Sequence, residues 1–332
     1  MKTTKIISAC AVLVALASCS NDQELSQQSA EDTSIRIQAN VGGIATRATS
    51  NIQGNQFDAG GKIGIFLKEH LGAEETNVAT YSNPIEGTVN SNRTDIDLGS
   101  PQYFPANGRS VDCLAIYPMK IGSKNIDKST TSFSVEADQS TDANYKASDL
   151  MYAYKANTAK KTPIQLTFKH LLSKIIVEVV ADASVSNSVL SHVYVDLLDT
   201  KKTINISVPD IAQGSVSSDK TVTVGSTVSD PTTIELGHPT YSNGNKTGEV
   251  AAIIVPQTIA KTTPFIRVRL NDGSKDYATY TYNVSDASGL TFATGTSYKY
   301  TITLKSASIS VKNVQITPWN VGTPGSGDAN LD

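Results

Sequence analysis

Apolar and polar residues alternate in short runs along most of the chain. Ser34-Ile35-Arg36-Ile37-Gln38-Ala39-Asn40-Val41 puts apolar side chains at 35, 37, 39 and 41. That is the period-two pattern of a strand with one face buried. Gly42-Gly43 ends it. Lys62 to Leu67, Val111 to Tyr117, Asp149 to Tyr154, Ile164 to His170 and Lys174 to Val180 are further short strand patterns. Val193 to Leu197 follows, and then Ile204, Ile206 and Val208 alternate with polar residues. Val250 to Val255 is continuously apolar, which predicts a strand buried on both faces. Ile266, Val268 and Leu270 alternate with Arg267 and Arg269. Asn271-Asp272-Gly273 then predicts a hairpin turn into a return strand, Tyr277 to Val284. Tyr298, Tyr300, Ile302 and Leu304 form another alternating set. Ile309 to Val311 and Val314 to Ile316 close the pattern before Pro318-Trp319. No segment shows a long helical period, and residues 68–100 and 181–192 predict no definite element. Short strands spaced by turn signals predict an all-β chain of antiparallel sandwiches.

The N-terminus breaks this pattern. Lys2 and Lys5 precede an apolar run from Ile6 to Ala17, which ends in Leu16-Ala17-Ser18-Cys19. A charged start, a short apolar core and small residues before a cysteine predict a lipoprotein signal peptide, with Cys19 as the lipidated first residue of the exported protein. No other run approaches the roughly 18 apolar residues of a membrane span. The expected product is therefore anchored to a membrane through its lipid, not threaded through it.

The predicted organisation is a signal peptide (1–18), a polar tether (19–33), a first sandwich (34–160), a second sandwich (161–319) and a Gly-containing flexible tail (320–332). The junction is placed at Lys160-Lys161-Thr162-Pro163. The 314 residues left after removal of 18 from 332 suffice for two ordinary domains. Loss of Lys2 and Lys5 moves the net charge from −3 to −5. That balance argues against nucleic acid as a partner. Of three cysteines, Cys10 leaves with the signal and Cys19 carries lipid, so Cys113 stands alone and no intramolecular disulfide is expected. Thirteen tyrosines against a single tryptophan, with abundant Thr, Ser, Val and Ile, fit the β assignment.

Candidate chemistry is sparse. His70, His170, His192 and His238 are not at metal-ligand spacing, and no nucleophile elbow, phosphate loop or zinc-protease motif is present. No cofactor or metal is expected, and no catalytic residue. Cys113 lies within an apolar strand and predicts a buried structural thiol. His170 predicts a local structural role. Asp95 and Asp97 predict solvated loop acids, and Arg267 and Arg269 a solvated strand face.

Five segments together resemble one family. These are Tyr103-Phe104-Pro105-Ala106-Asn107-Gly108 with Val111 to Pro118, Asp149-Leu150-Met151-Tyr152-Ala153, Leu166 to Ile175, Phe292 to Tyr300, and Pro318-Trp319. In order and spacing they are similar to the fimbrillins of the Bacteroidales. Cys113 departs from the aromatic usual at its position. The resemblance implies two transthyretin-like antiparallel β-sandwich domains and a pilin precursor carried to the outer membrane on lipid. It implies cleavage by an arginine-specific protease between Arg47 and Ala48. It further implies exchange of the first strand (Ile35, Ile37, Ala39, Val41) for a C-terminal strand (Ile309, Val311, Val314, Ile316) of another fimbrial subunit. The expected location is the outer membrane and then a surface fimbria. The alternative is a non-polymerising surface lipoprotein or tip adhesin that binds glycan or protein.

Overall fold

A computed structural model describes residues 33–42, 56–71, 81–183, 185, 187–211, 221–241, 246–271, 276–305, 308–318 and 327–329. In chain order the first half contributes β1 (Ile37–Val41), β2 (Lys62–Glu69), β3 (Ile85–Val89), β4 (Asp95–Asp97), β5 (Val111–Tyr117), β6 (Lys120–Ile121), β7 (Lys124–Asn125) and β8 (Ser132–Ser134). A six-residue helix, α1 (Asp142–Ala147), then precedes β9 (Met151–Thr158) and β10 (Ile164–His170). The second half begins with β11 (Ser173–Ala181), a helical turn α2 (Asn187–Leu190), β12 (Val193–Lys201), β13 (Thr203–Ser207), β14 (Thr223–Thr227), β15 (Pro231–Gly237) and β16 (Thr240–Tyr241). It continues with β17 (Thr247–Ile254), β18 (Gln257–Ile259), β19 (Pro264–Asn271), β20 (Asp276–Asn283), β21 (Leu290–Phe292), β22 (Thr296–Lys305), β23 (Ser308–Pro318) and β24 (Gly327–Ala329).

The all-β expectation holds. Seven strands close on themselves in the order β1-β10-β9-β5-β2-β3-β4, around a core that includes Ile37, Ile63, Ile65, Val111, Ala115, Leu166 and Phe168. A six-stranded sheet (β16-β17-β11-β22-β23-β24) and a four-stranded sheet (β15-β12-β19-β20) supply the second core with Ile175, Val177, Val195, Ile266 and Tyr300. Two ladders depart from the antiparallel expectation: β1 runs parallel to β10, and β11 parallel to β22. Both join strands far apart in the chain, where a long crossover permits parallel pairing and a short hairpin does not.

The junction expected at 160/161 cuts across the first sheet, because β10 lies between β1 and β9. Conversely, β8 pairs with β13 of the second half, and Ile126, Phe133, Val135 and Tyr145 belong to the second core. The chain thus crosses between cores after β5, returns at β9, and crosses again at Leu171-Leu172. The wall between them is shared. All seven residues of β5 are buried: Val111, Cys113, Ala115 and Tyr117 join the first core, and Leu114 and Ile116 the second. In β2, Ile63, Ile65 and Leu67 face the first core and Phe66 the second. Strands buried on both faces carry unbroken apolar runs, which is why these two segments do not alternate.

Other corrections are local. Residues 68–100, which predict no definite element, hold β3 and β4. Ile309 to Val311 and Val314 to Ile316 are one strand, β23, not two. The tail expected to be flexible contributes β24, paired with β23. The predicted hairpin pairs β19 with β20, with register shifts between Pro264 and Ile266 and between Leu270 and Asn271; its turn lies outside the described residues.

Candidate functional site

The first strand sits as its alternation requires. Ile35, Ile37, Ala39 and Val41 are buried, at 6%, 2%, 0% and 4% exposure, whereas Arg36 and Asn40 are exposed. Its ladder to β10 is unbroken over five register pairs, Ile37 opposite Ile164 through Val41 opposite Phe168. Two further bonds extend it: Ile164 N–H donates to Arg36 O (2.8 Å) and Gly42 N–H to Phe168 O (2.8 Å). On this side the core holds Phe168, whose ring meets Phe57 edge-on at 4.9 Å. Outside, Gln38 spans the strand's neighbours. Its Nε2 donates to Asp95 Oδ1 at 2.8 Å, and its Oε1 accepts from Gln165 Nε2 at 2.6 Å.

The other flank is thinner. Only Ile37 opposite Ile96 and Gln38 opposite Asp95 form the ladder to β4. Beyond it, Ala39 N–H donates to Thr94 O (2.8 Å) and Ile35 N–H to Gln102 O (2.7 Å). Taking away this strand would uncover an apolar trough and two rows of unpaired backbone groups, both costly in water.

The C-terminal candidate strand occupies its own sheet. β23 pairs antiparallel with β22 from Ser308 opposite Lys305 to Pro318 opposite Thr296. Ile309, Val311, Val314 and Ile316 stand opposite Leu304, Ile302, Tyr300 and Tyr298. The spacing of three between 311 and 314 breaks strict alternation. A register shift between Thr301 and Ile302 skips Lys312, so all four positions pair with alternate residues of β22.

The remaining flagged residues are structural. Cys113 is fully buried, and desolvation, with Asp112 nearby, pushes its thiol well above the ordinary range. His170 Nδ1 lies 2.8 Å from Asp149 Oδ1, with both side chains buried. His70 pairs with Asp112 at 2.7 Å, His192 lies 3.0 Å from Ser188 O, and His238 lies 2.7 Å from Val193 O. Asp95 and Asp97 are strand ends, not loop acids; Asp97 accepts from Gly99 N–H at 2.8 Å. Arg267 and Arg269 are not simply solvated: both Nε atoms reach Asp196 Oδ2, at 2.8 and 2.6 Å, and Asp196 is fully buried. Sequence distance hid this triad, because Asp196 meets the arginines only through the β12–β19 ladder. Among the described residues no group of three or more His, Cys, Asp or Glu is placed to hold a metal ion. Cys19, Arg47 and Ala48 lie outside the described residues.

This geometry has close relatives in fold. A crystal structure of a candidate cell adhesion protein from Bacteroides uniformis superposes with a TM-score of 0.57 at 19% identity, covering 86% of this chain and 98% of that one. One from Bacteroides ovatus gives 0.57 at 15%, covering 87% and 99%. In sequence, a protein of Bacteroides uniformis named as a candidate fimbrium subunit, Fim1C, is 26% identical over 342 residues, the full length of both chains. The family model described as fimbrillin-like matches residues 46–319, most of the 332. An all-β chain matched over that span belongs to the fimbrillin-like family of fimbrial proteins.

Proposed function

We propose that this chain is a structural subunit of a surface fimbria, made as a lipoprotein on Cys19, cut after Arg47 and polymerised by strand insertion. One observation carries the reading. Among the described residues β1 is the first strand and the next begins at Lys62, so one cut at Arg47 separates β1 from every other described strand. A neighbour's strand then repairs the trough and the unpaired backbone together. Such a contact joins unlike surfaces and need not close, so it propagates a fibre.

The distribution of arginine supports the site. The sequence has six: Arg36, Arg47, Arg93, Arg109, Arg267 and Arg269. The Arg36 carbonyl is held by β10. Arg93 closes a turn at φ 63° with its N–H on Asn90 O. Arg109 N–H donates to Asn107 Oδ1, and its guanidinium lies 3.4 Å from Glu69. Arg267 and Arg269 lie inside β19. A protease threads an extended segment through its cleft, so cutting at any of these five requires local unfolding first. Arg47 is the sixth.

The second reading is a surface adhesin that never polymerises. It is favoured by β23, which is already paired along its own sheet. The N-terminus of the protein in sheared surface fibres distinguishes them. The first reading expects Ala48 without lipid, and Arg47→Ala should leave a full-length lipidated precursor and no fibres. A surface form that keeps Cys19 and its acyl chains overturns it.

A further inference from the structure

The buried acid that gathers two arginines leaves one of them half used. Ile266, Val268 and Leu270 belong to the second core, so Arg267 and Arg269 stand on the outer face of the four-stranded sheet. Arg269 meets Asp196 twice, Nε to Oδ2 (2.6 Å) and Nη2 to Oδ1 (2.9 Å), and its Cζ lies 5.9 Å from the centre of the Tyr194 ring. That pairing already matches the charge of the acid. Arg267 adds a second cation and uses only its Nε, 2.8 Å from Asp196 Oδ2. Among the described residues its guanidinium has no other partner, and its side chain is 30% exposed. The trio thus carries an excess positive charge, and the Nη1–Nη2 fork of Arg267 is left over. Asp196, fully buried, fixes the direction of that fork by holding Nε. The register sets hydroxyls beside it: Thr281 stands opposite Arg267 and Thr279 opposite Arg269, both exposed and on the same face. Glu235 is the acid on this face. It stands opposite Asp196 on the other side, two strands from Arg267, which is about 10 Å and largely screened.

We propose that Arg267, with Thr279 and Thr281, binds the carboxylate end of an acidic sugar. A guanidinium fork takes a carboxylate edge to edge through two parallel hydrogen bonds, which a lysine cannot do. The groups around the fork set the rest of the ligand. A carboxylate on a peptide side chain would engage the fork alone. A sugar acid carries hydroxyls on the same ring as its carboxylate, and these meet the hydroxyls of Thr279 and Thr281, which both donate and accept. Asp196 is a positioning residue, because it touches the guanidinium and not the ligand. The site uses neither β1 nor β23, so it stands apart from strand exchange and is present under either reading of the function.

The test titrates the full chain, by ligand-observed NMR, with glucuronate, N-acetylneuraminate, glucose, acetate and inorganic phosphate. At least one sugar acid should bind about tenfold or more tightly than glucose, which lacks the carboxylate, and than acetate, which lacks the hydroxyls. Arg267→Lys keeps the charge but not the fork, and should weaken sugar-acid binding by about tenfold. Thr281→Val should weaken the sugar acid and leave acetate unchanged. Asp196→Asn makes the patch more positive. An oriented fork then predicts weaker binding, whereas diffuse charge predicts tighter binding. Failure of both sugar acids to bind, equal affinity for glucose, unchanged binding in Arg267→Lys, or tighter binding in Asp196→Asn overturns the site. Acetate or phosphate binding as tightly as the sugar acids overturns the ligand class and leaves a plain anion patch. If Asp196→Asn does not melt cooperatively, Arg267→Lys decides alone, since that side chain lies outside the core.

Discussion

Cutting the chain after Arg47 should leave β1 in place but weakly held, and the structure sets the scale. Ile35, Ile37 and Val41 are each at least 94% removed from solvent. Burial of a side chain of that size is worth about 1.5–3 kcal/mol, so the three contribute about 5–9 kcal/mol. A free strand that docks must also give up its independent motion, at about 4–15 kcal/mol. While the chain is intact the covalent link has already met that cost. After the cut the two quantities nearly cancel. The cut protein should therefore melt lower by at least about 10 °C, from about 2–4 °C per kcal/mol for units of this size. Its melting point should also fall on dilution and recover with an excess of a peptide spanning residues 34–47. Circular dichroism melts of intact and cut protein over a hundredfold range of concentration read this directly. Equal melting points at every concentration would refute the reasoning, since β1 would then contribute nothing that its covalent link alone maintains.

Two further outcomes follow from the geometry. β1 pairs with β10 without a bulge, whereas β23 skips Lys312, so deleting Lys312 makes the donor strictly alternating, as β1 is. A 308–318 peptide lacking Lys312 should bind the emptied slot at least about tenfold more tightly than the native peptide, while in the native peptide Ile316→Asp should abolish binding and Gln315→Asp should not; weaker binding on deletion, by fluorescence titration, would mean the slot itself accepts a bulge. Lys174 is 3% exposed, and burial lowers its pKa from 10.5 to about 8, against the opposing pull of Asp149 and Glu249. The unfolded chain thus binds the extra proton between those values, so stability rises with pH from about 8 to 10.5, on the order of 3 kcal/mol; in Lys174→Met, denaturant melts should lack that rise, and an unchanged profile would show that Lys174 is not its source.

What the sequence reveals here depends on how a strand is buried. β1, β13, β19 and β22 have one face in a core, and their alternation marks them. β3 is harder to see because Gly87 interrupts it. A Cβ there would fall 2.6 Å from Ile96 Cγ2, so the close approach of β4 dictates the glycine. β4 itself is three residues, two of them Asp, and only its partners make it a strand. In β23 a break in the pattern reads as two strands, yet it marks a bulge within one. The pairing of β1 with β10 has no local signature at all, because it spans more than a hundred residues and depends on both cores forming. The same holds for the site. The apolar set of β1 was legible, but not its thin flank on β4, nor the acid that gathers Arg267 and Arg269.

The wall shared by the two cores has a mechanical consequence. Phe66, Leu114 and Ile116 leave the back of the first sheet and lock into the second core, and that interior is as incompressible as any protein core. The halves therefore cannot swivel about a linker, as beads on a string do. Load entering at one end of the molecule is borne by the packed wall and by the three crossings of the chain. In the polymer proposed above, such units would act as a series of stiff links, and bending under flow would be confined to the joints between one subunit and the next.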